Sequence, residues 1–526
     1  MLLMEFLLLF CILGYALVKS EQPPNVVLIV ADDLGWTDVS FHGSDQIPTP
    51  NIDKLAKEGI ILNNYYVQPI CSPTRSALMT GRYPIHTGMF HGVIRPEEPY
   101  GVSLEEKILP EYLRELGYAT HAIGKWHLGY FAKEYTPTYR GFDSFYGYYT
   151  GAEDYFYHNR SGLYWPEFRG LDLHHDVNGK LEPVHHQDGN YSTRMYTSEA
   201  IEIINQQDKE TTLFLYLPYQ NVHGRHLQAP QKWIDHFSHI KHEKRRILAA
   251  MMATLDEAVG KVHKALWEKG MLDNTVIIFT SDNGAEGQDF SSNYPLKGCK
   301  FLLYEGGVRV PAFINSPLLK RSGVTSMQMM HVTDWLPTIV NLAQGKITKE
   351  IDGFDQWKTL QDDVKSPRNE ILLNIDHLEN LQEALIVDKW KILMDNSKYN
   401  SRWTEGPPPG YNVTGKATSV VDCGLKPDKT THCNETHCLF NLQSDPCEYN
   451  DVSSQYPEIY QQMKNKLENY KKGMVQSRKK PGDKTADPRL HGGVWMPWKD
   501  ITSDARSFRP AIETILLSIS AFNFLI

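Results

Sequence analysis

The stretch "NVVLIVADD", residues 25 to 33, decides the fold, because it joins an unbroken run of strand-forming residues to two carboxylates. A short continuous apolar run is typical of a strand buried on both faces. Four similar runs follow along the chain, namely "YATHAI" (118 to 123), "TLFLYL" (212 to 217), "TVIIFT" (275 to 280) and "VPAFIN" (310 to 315). Strands of this kind need helices on both sides of their sheet.

Helix candidates lie between these runs. They are "TPNIDKLAKEG" (49 to 59), "SLEEKILPEYLRELG" (103 to 117) and "RILAAMMATLDEAVGKVHKALWEKG" (246 to 270). In the second, Ser103 and Glu106 have capping-box spacing, which predicts that the helix begins there. The run "KHEKRR" (241 to 246) is expected to be a solvated helix face. The alternation predicts an α/β fold with a doubly wound, mainly parallel sheet, whose reactive groups gather at the carboxyl edge.

After about residue 375 the pattern changes to short runs, "ALIVDKWKILMD" and "HCLFNLQSD", and then a helix "YPEIYQQMKNKLENYKK". We therefore expect an α/β domain at 21–374 and a smaller C-terminal α+β domain with an antiparallel sheet at 375–500. The 526 residues, 41% hydrophobic and 22% charged, suffice for both cores. The net charge of −9 gives no attraction to nucleic acid, so an anionic ligand needs local cations.

Both ends of the chain are apolar. Residues 1–20 have the length and composition of a signal peptide. The segment 501–526 ends in an apolar run, residues 514 to 526, behind the small residues "SDA" (503 to 505) and a polar spacer. This order resembles a GPI-attachment signal, although a plain hydrophobic terminus is the alternative. We expect entry into the secretory pathway and an extracellular or lysosomal location, with GPI anchoring at the cell surface as one alternative.

Cysteines and glycosylation sequons fit that route. Four cysteines crowd near the C-terminus and predict local disulfides rather than a zinc site built with His432 or His437. They are Cys423, Cys433, Cys438 and Cys447. The Asn-x-Ser/Thr sequons lie at Asn159, Asn190, Asn412 and Asn434.

Acidic and amide side chains follow two of the predicted strands directly. Asp32 and Asp33 end the first strand, and the strand at 275 to 280 runs into Asp282 and Asn283. Each pair alone is also typical of a turn or a helix cap. Three carboxylates and an amide oxygen at one sheet edge would repel one another without a hard cation, which favours a Ca²⁺ or Mg²⁺ site.

A lone cysteine precedes the helix-forming stretch "SPTRSALMTG" (72 to 81). Ser72 can cap this helix and Gly81 can end it, so Cys71 is expected at its positive end. Arg75 lies about one turn further on and can reach back over the same point. A structural cysteine would need a partner, and a thiolate nucleophile would need a histidine arrangement that the surrounding sequence does not display.

These stretches resemble the sulfatase family. "CSPTRSALMTGR" matches its signature Cys-x-Pro-x-Arg followed by Thr-Gly-Arg, and "GYATHAIGKWHLG" (117 to 129) matches its second signature. The resemblance runs from "PNVVLIVADDLGW" to "DWLPTIVNLA" and is greatest to the arylsulfatase B branch, the N-acetylgalactosamine-4-sulfatases. It implies an alkaline-phosphatase-like fold and hydrolysis of sulfate esters.

The resemblance also implies a modified nucleophile. A formylglycine-generating enzyme would oxidise Cys71 to formylglycine (3-oxoalanine) in the endoplasmic reticulum, and the aldehyde would hydrate to a geminal diol. One oxygen can then attack sulfur, while the second drives release of the sulfate by reforming the aldehyde. A precursor thiol of this kind needs no disulfide partner.

Matching the motifs residue by residue implies a full site. Lys125 and His127 are two residues apart, so an extended backbone would point both to one side, toward a sulfate oxygen and the diol proton. His223 would donate a proton to the leaving alcohol, and Lys300 would contact the sulfate. The implied catalytic residues are Cys71, Arg75, Lys125, His127, His223 and Lys300, and the ligands of one Ca²⁺ per subunit are residue 71, Asp32, Asp33, Asp282 and Asn283.

Three hypotheses remain open. The first is a sulfatase for sulfated sugars or for small aryl, steroid or glucosinolate sulfates. The second is a phosphatase or phosphodiesterase of the same superfold, which two zinc ions and a Ser or Thr nucleophile would mark. The third is a catalytically inactive, glycosylated binding protein. Arylsulfatase B-like chains usually continue with a His-Glu-Pro type sequence after this histidine, whereas here "HGRHLQAP" is one residue longer and contains Arg225 and His226. The added arginine would favour a substrate with a second acidic group; the alternative is that it is a solvated loop residue.

Overall fold

A computed structural model describes residues 22–224, 226–287, 290–378, 381–399, 406–410, 421–424 and 431–501. The expected signal peptide, the apolar tail beyond residue 501, Arg225 and the sequon at Asn412 lie outside these residues. Within the described ranges, every helix is too short or too polar to cross a membrane.

The larger domain is built on a nine-stranded sheet in the order β12-β2-β11-β10-β1-β9-β4-β5-β8. Its central strands β10, β1, β9, β4 and β5 run parallel, while β11 and β8 are antiparallel to their neighbours, so the predicted mainly parallel sheet is confirmed. The strands are β1 (Asn25–Ala31), β2 (Ile60–Leu62), β3 (Tyr65–Tyr66), β4 (Ala119–Lys125), β5 (Ser144–Tyr148), β6 (Asn159–Ser161), β7 (Arg169–Leu171), β8 (His174–Val177), β9 (Leu213–Pro218), β10 (Thr275–Ser281), β11 (Ala312–Asn315), β12 (Val324–Ser326) and β13 (Met330–His331).

Helices cover both faces of this sheet. Along β1, alternate residues enter different cores, since Val26 and Leu28 pack on one face and Val27 and Ile29 on the other. The helices are α1 (Pro50–Glu58), α2 (Cys71–Thr80), α3 (Pro84–Thr87), α4 (Leu109–Glu115), α5 (Ser192–Gln206), α6 (Gln231–His236), α7 (Glu243–Lys269), α8 (Glu305–Val308), α9 (Trp335–Leu342), α10 (Trp357–Asp362) and α11 (Pro457–Lys472). The fold is thus a three-layer α/β structure, as the sequence predicts.

One predicted helix start is wrong. Ser103 and Glu106 form a turn, with the Glu106 amide donating to the Ser103 carbonyl at 3.1 Å, and α4 begins later. Its start is set by Pro110, which has no N–H and suits a first turn, whereas a helix from residue 103 would hold it in the interior. Glu111 then caps the helix by accepting the Ile108 N–H at 2.8 Å.

The smaller domain is an antiparallel sheet packed by one helix. Its strands are β14 (Glu370–Asp376), β15 (Gln382–Val387), β16 (Trp390–Asp395) and β17 (Cys438–Asn441). Met463 and Leu467 of α11 pack against Leu385, Ile392 and Leu439 of the sheet. The first strand crosses the expected boundary after residue 374, so this sheet begins at Glu370; the domain limits themselves stay a prediction.

The four C-terminal cysteines form two disulfides, Cys423–Cys447 and Cys433–Cys438. Local disulfides are therefore confirmed, and the zinc alternative is wrong because no sulfur is left as a ligand. His437 instead places Nε2 3.0 Å from the Glu383 carboxylate.

The described sequons differ in accessibility. Asn190 and Asn434 are exposed. Asn159 is half-buried and accepts hydrogen bonds from the Arg169 guanidinium. The first two positions therefore offer open sites for a glycan.

The C-terminal strap, residues 473–501, returns over the larger domain after α11. Its backbone amides donate to carbonyls of that domain, from Val475 to Ile85 at 3.0 Å and from Arg478 to Gly88 at 2.9 Å. Further along, the Trp495 N–H bonds to the Leu171 carbonyl at 2.9 Å. The strap therefore fastens α3 with the residue that ends it, and the last strand of the β6–β7 hairpin.

The expectation that residues 241–246 form a solvated face is wrong for Arg245, whose side chain is fully buried. Its guanidinium pairs with Asp38 and donates to Gln46 Oε1 at 2.7 Å and to the Phe290 carbonyl at 3.0 Å. The loop after β1 is anchored to α7 by this ion pair.

Replacing this arginine tests its structural role. We expect Arg245→Ala to lower the free energy of unfolding by about 3–5 kcal/mol, because Asp38 would remain buried and unpaired. Lys261→Ala on the same helix is the matched control; it removes an exposed pair with Glu257 and should cost roughly 0.5 kcal/mol or less. Urea unfolding of the two variants measures the difference, and equal losses would contradict the anchoring role.

Candidate active site

The register of two neighbouring strands places three carboxylates together. Ala31 of β1 pairs with Ser281 of β10 in parallel, so Asp32 and Asp282 follow on strands about 4.8 Å apart. The Asp33 N–H donates to Asp282 Oδ1 at 3.2 Å. Asp33 has φ 59°, a left-handed conformation that turns the chain out of the strand.

Helix α2 brings Cys71 to the same edge. Cys71 is the first helical residue and is 2% exposed, with Sγ 3.9 Å from Asp32 Oδ1. Gly81 ends the helix in a left-handed conformation, as predicted. The predicted cap at Ser72 is wrong because the helix begins one residue earlier; Ser72 Oγ instead donates to the His127 carbonyl at 3.1 Å. Cys71 nevertheless lies at the positive helix end.

The ligating atoms at this edge form a tight group. One oxygen or sulfur atom from each of Asp32, Asp33, Cys71 and Asp282 lies within 4.8 Å of the others. Asn283 donates from Nδ2 to Asp33 Oδ1 at 2.8 Å, while its buried Oδ1 has no hydrogen-bond partner among the described residues. Burial and the nearby Asp282 carboxylate raise the pKa of Asp32 to about 7. Such an oxygen-rich, crowded group fits a hard divalent cation.

Three buried cations surround the carboxylates. Arg75 Nη2 lies 2.8 Å from Asp282 Oδ2, as expected from its place one turn into α2. Lys125 Nζ, at the end of β4, lies 2.7 Å from Asp32 Oδ2. Lys300 Nζ lies 2.8 Å from Asp33 Oδ2. The structure thus brings together the lysines and the arginine that the sequence assigns to one site.

His127 reaches the site by a different backbone route from the one expected. Strand β4 ends at Lys125, and His127 has φ 57°, so the prediction of one extended backbone through both residues is wrong. Its Nε2 lies 2.9 Å from the Ile94 carbonyl and therefore carries the proton. Its buried Nδ1 has no partner in the described part of the chain. Burial, followed by the charge of Lys125, holds its pKa well below the usual range.

The second histidine follows β9. His223 Nε2 lies 3.8 Å from Asp33 Oδ2. Burial, and then the charges of Lys300 and Lys125, lower the pKa of His223 well below its usual range. Both predicted histidines therefore lie at the same sheet edge as the carboxylates.

The cysteine itself is not poised as a thiolate. Burial raises the pKa of the Cys71 thiol to about 12, despite the nearby charges of Lys125 and Lys300. At neutral pH the group is a thiol, which disfavours a direct thiolate mechanism.

Sequence reasoning missed two supporting contacts. The Ile94 carbonyl orients His127, and the Ile94 N–H donates to Ser72 Oγ at 3.2 Å. Any residue can make a backbone hydrogen bond, so the identity of Ile94 gives no indication of these contacts. In the sequence, Ser72 has the position of a helix cap. Only the fold reveals that the loop carrying Ile94 links His127 to Ser72, the residue after Cys71.

Comparison with known proteins gives a consistent result. The family model "Sulfatase" matches residues 24–346. Mouse arylsulfatase J is 41% identical over 504 residues, which cover 91% of this chain and 81% of that protein. Human arylsulfatase A is 30% identical over 467 residues, covering 84% of this chain and 87% of that protein.

A solved structure supports the fold match. Ps i-CgsB in complex with k-i-k-neocarrahexaose superposes with a TM-score of 0.73 at 29% identity, covering 90% of this chain and 98% of that chain. The narrower likeness to arylsulfatase B stays a prediction. Because the family model covers more than half of the sequence and both of these arylsulfatases reach 30% identity or more along most of it, the chain belongs to the sulfatase family of sulfuric ester hydrolases.

Proposed function

We propose that this protein hydrolyses sulfate esters with formylglycine, formed from Cys71, as its nucleophile beside one Ca²⁺. The observation that carries this proposal is the convergence of Asp32, Asp33, Cys71 and Asp282 within 4.8 Å at the positive end of α2. Membership of a family that uses formylglycine and Ca²⁺ supports it.

The calcium ligands in this proposal are the three carboxylates, Asn283 and residue 71. The unpartnered Asn283 Oδ1 supports the assignment, because a buried acceptor without a hydrogen bond is costly unless another group satisfies it. When bound, the ion supplies positive charge that polarises the sulfate and offsets the crowded carboxylates.

The hydrated formylglycine supplies two hydroxyl groups on one carbon, one for attack on sulfur and one for release of the sulfate. His127 is the proposed base, since its Nδ1 lone pair is buried, neutral and without another partner among the described residues. Arg75, fixed by Asp282 and by the Lys125 carbonyl at 3.2 Å, orients residue 71.

Sulfate binding is assigned to the two lysines. Lys125 and Lys300 hold ammonium groups at the same buried edge, where a low local dielectric strengthens their attraction for an anion. His223 is the proposed proton donor to the leaving alcohol; a bound sulfate, whose negative charge opposes those of Lys300 and Lys125, would favour its protonated form. The proposal therefore gives each of the six predicted catalytic residues one task.

The competing hypotheses are less well supported. A two-zinc phosphatase needs a second ligand cluster, whereas the described residues contain one group of three or more ligating side chains, Asp32, Asp33, Cys71 and Asp282. An inactive binding protein would not need all six catalytic side chains to be retained at one sheet edge.

For the substrate we propose a sulfated saccharide, with a small aryl, steroid or glucosinolate sulfate as the alternative. The relatives include human N-acetylgalactosamine-6-sulfatase, 28% identical over 516 residues that cover 92% of this chain and 91% of that protein. Ps i-CgsB was solved in complex with a neocarrahexaose. The names of these proteins favour a saccharide.

The nucleophile can be tested by peptide mass mapping across residue 71. We expect loss of the thiol sulfur and gain of an aldehyde, and an unmodified cysteine in fully active protein would contradict the mechanism. Cys71→Ala should lower turnover at least about 1000-fold with little change in the thermal midpoint, because the covalent route is lost. Cys299→Ala, at the second buried cysteine outside the disulfides among the described residues, is the matched control and should keep activity.

The metal can be tested separately from turnover. We expect Ca²⁺ to raise the thermal midpoint of chelator-treated protein, because a ligand that binds only the folded state stabilises it. Asp33→Ala should abolish this rise, whereas Asp273→Ala, at an exposed acid before β10, should keep it. Activity should fall with chelation and return with Ca²⁺. If Ca²⁺ left the thermal midpoint of the chelator-treated protein without substitutions unchanged, the result would count against the site.

Substrate class can be tested with a panel of three sulfate esters. We expect kcat/KM to be highest for a 4-sulfated N-acetylgalactosamine, compared with an aryl sulfate and a glucosinolate, because the proposal assigns the enzyme to saccharides. A preference for either small ester would favour the alternative. Hydrolysis of none of the three, by protein carrying the aldehyde, would argue for the inactive binding protein.

A further inference from the structure

The loop at residues 92–98 connects the reaction centre to a charged surface at its rim. Ile94 in this loop binds His127 through its carbonyl and Ser72 through its N–H, and Ser72 directly follows Cys71. The next residue, Arg95, lies about 3.8 Å further along the chain. Arg95 is therefore held close to the site by two hydrogen bonds of its neighbour.

Arg95 and an aromatic ring form an open surface beside the site. The guanidinium carbon lies 4.8 Å from the centroid of the Tyr164 ring. The Arg95 side chain is 35% exposed, and Tyr164 is 37% exposed. A guanidinium held over an aromatic face is pre-organised and keeps planar donors that match sulfate or carboxylate oxygens.

A second cation reaches the same loop from the C-terminal strap. Lys479 Nζ lies 3.6 Å from Glu98 Oε1, and a Cβ built on Gly92 would lie 3.4 Å from that ammonium. Both cations approach the same carboxylate, since Arg95 Nε lies 3.9 Å from Glu98 Oε1, and the Lys479 side chain is 19% exposed.

A buried carboxylate organises these groups. The Glu98 carboxylate accepts hydrogen bonds from the backbone N–H of Arg95 at 2.8 Å and from Tyr164 Oη at 2.9 Å, and the Glu98 side chain is 0% exposed. Glu97, next to it in the loop, is buried as well and accepts the Tyr164 N–H at 2.9 Å, so the two carboxylates match the two cations in charge. Because both carboxylates are enclosed while Arg95 and Lys479 reach solvent, the surface that a ligand meets presents the cations, on a chain whose net charge is −9.

We propose that Arg95, Lys479 and Tyr164 form a rim subsite that binds a second anionic group of a sulfated saccharide, on a ring beside the one that carries the hydrolysed ester. The inference rests on the proposed function. The cations bind a sulfate or carboxylate, and Tyr164, whose ring carries the Arg95 guanidinium, holds that group in place. The favoured substrate has at least two rings and more than one anionic group, whereas a small aryl sulfate leaves the subsite empty.

The test compares a small ester with a longer anionic ligand. In the first assay, a sulfated carrageenan hexasaccharide or its desulfated counterpart is added as an inhibitor of 4-nitrophenyl sulfate hydrolysis. In the second, calorimetry measures direct binding of the same two ligands. We expect Arg95→Gln and Lys479→Gln each to weaken binding of the sulfated hexasaccharide about fivefold, with weaker dependence on salt. Tyr164→Ala should weaken it as well.

Two controls separate charge from structure. Arg95→Lys keeps the charge and should retain most of the affinity. Lys180→Gln removes an exposed cation near the start of β5, at the edge of the sheet opposite the carboxylates, and should change nothing. The kcat and KM for 4-nitrophenyl sulfate should stay within about twofold in all these variants, because the small ester does not reach the rim.

The outcomes distinguish the subsite from the chemistry. Equal hexasaccharide affinity in Arg95→Gln, Lys479→Gln and the unchanged protein, with 4-nitrophenyl sulfate still hydrolysed, overturns the subsite and leaves the proposed function standing. A tenfold fall in kcat for the small ester in Arg95→Gln also overturns it, because the residue would then act through Ile94 on His127. Absence of hydrolysis of both 4-nitrophenyl sulfate and the 4-sulfated N-acetylgalactosamine by the unchanged protein overturns the proposed function, while calorimetry still decides whether the rim binds.

Discussion

The parallel pairing of β1 with β10 is the constraint on which the rest of the site depends. It sets Asp32 beside Asp282 at the end of two buried strands, where neither carboxylate can move into water. Burying like charges at such a distance is unfavourable unless cations offset them. The ion pairs of Arg75, Lys125 and Lys300 therefore belong to the architecture of the sheet edge as much as to its chemistry.

Cations drawn from separate elements also tie the layers of the fold together. Arg75 comes from α2, Lys125 from β4 and Lys300 from the loop before α8, and each meets a carboxylate that follows β1 or β10. A shift of any of these elements would leave a buried charge without its partner. Stability and site geometry are thus coupled, because the same ion pairs serve both.

Periodicity and strand-end chemistry predict much of this from sequence. The runs at 25 to 31 and 275 to 280 become neighbouring strands, and all the motif-derived site residues gather at their ends. The failures are local: Pro110 moves a helix start, and His127 leaves the strand in a left-handed conformation. Burial of Arg245 was also missed, since a charge run looks solvated until its distant partner Asp38 is known. Contacts between remote segments have no signature in either segment alone.

Because the C-terminal strap is synthesised last, the contacts that it makes with the larger domain form late in assembly. Ribosomes deliver residues 473–501 after the whole α/β layer, yet these residues bond to the backbone at Ile85, Gly88 and Glu97, on both sides of Ile94. The loop that steadies His127 is consequently secured in part by the newest stretch of the polypeptide, in addition to the hydrogen bonds of Ile94 and that of Tyr130 Oη to the Pro96 carbonyl. A nascent molecule halted before that segment would carry every reacting side chain and still lack this part of the fastening around them.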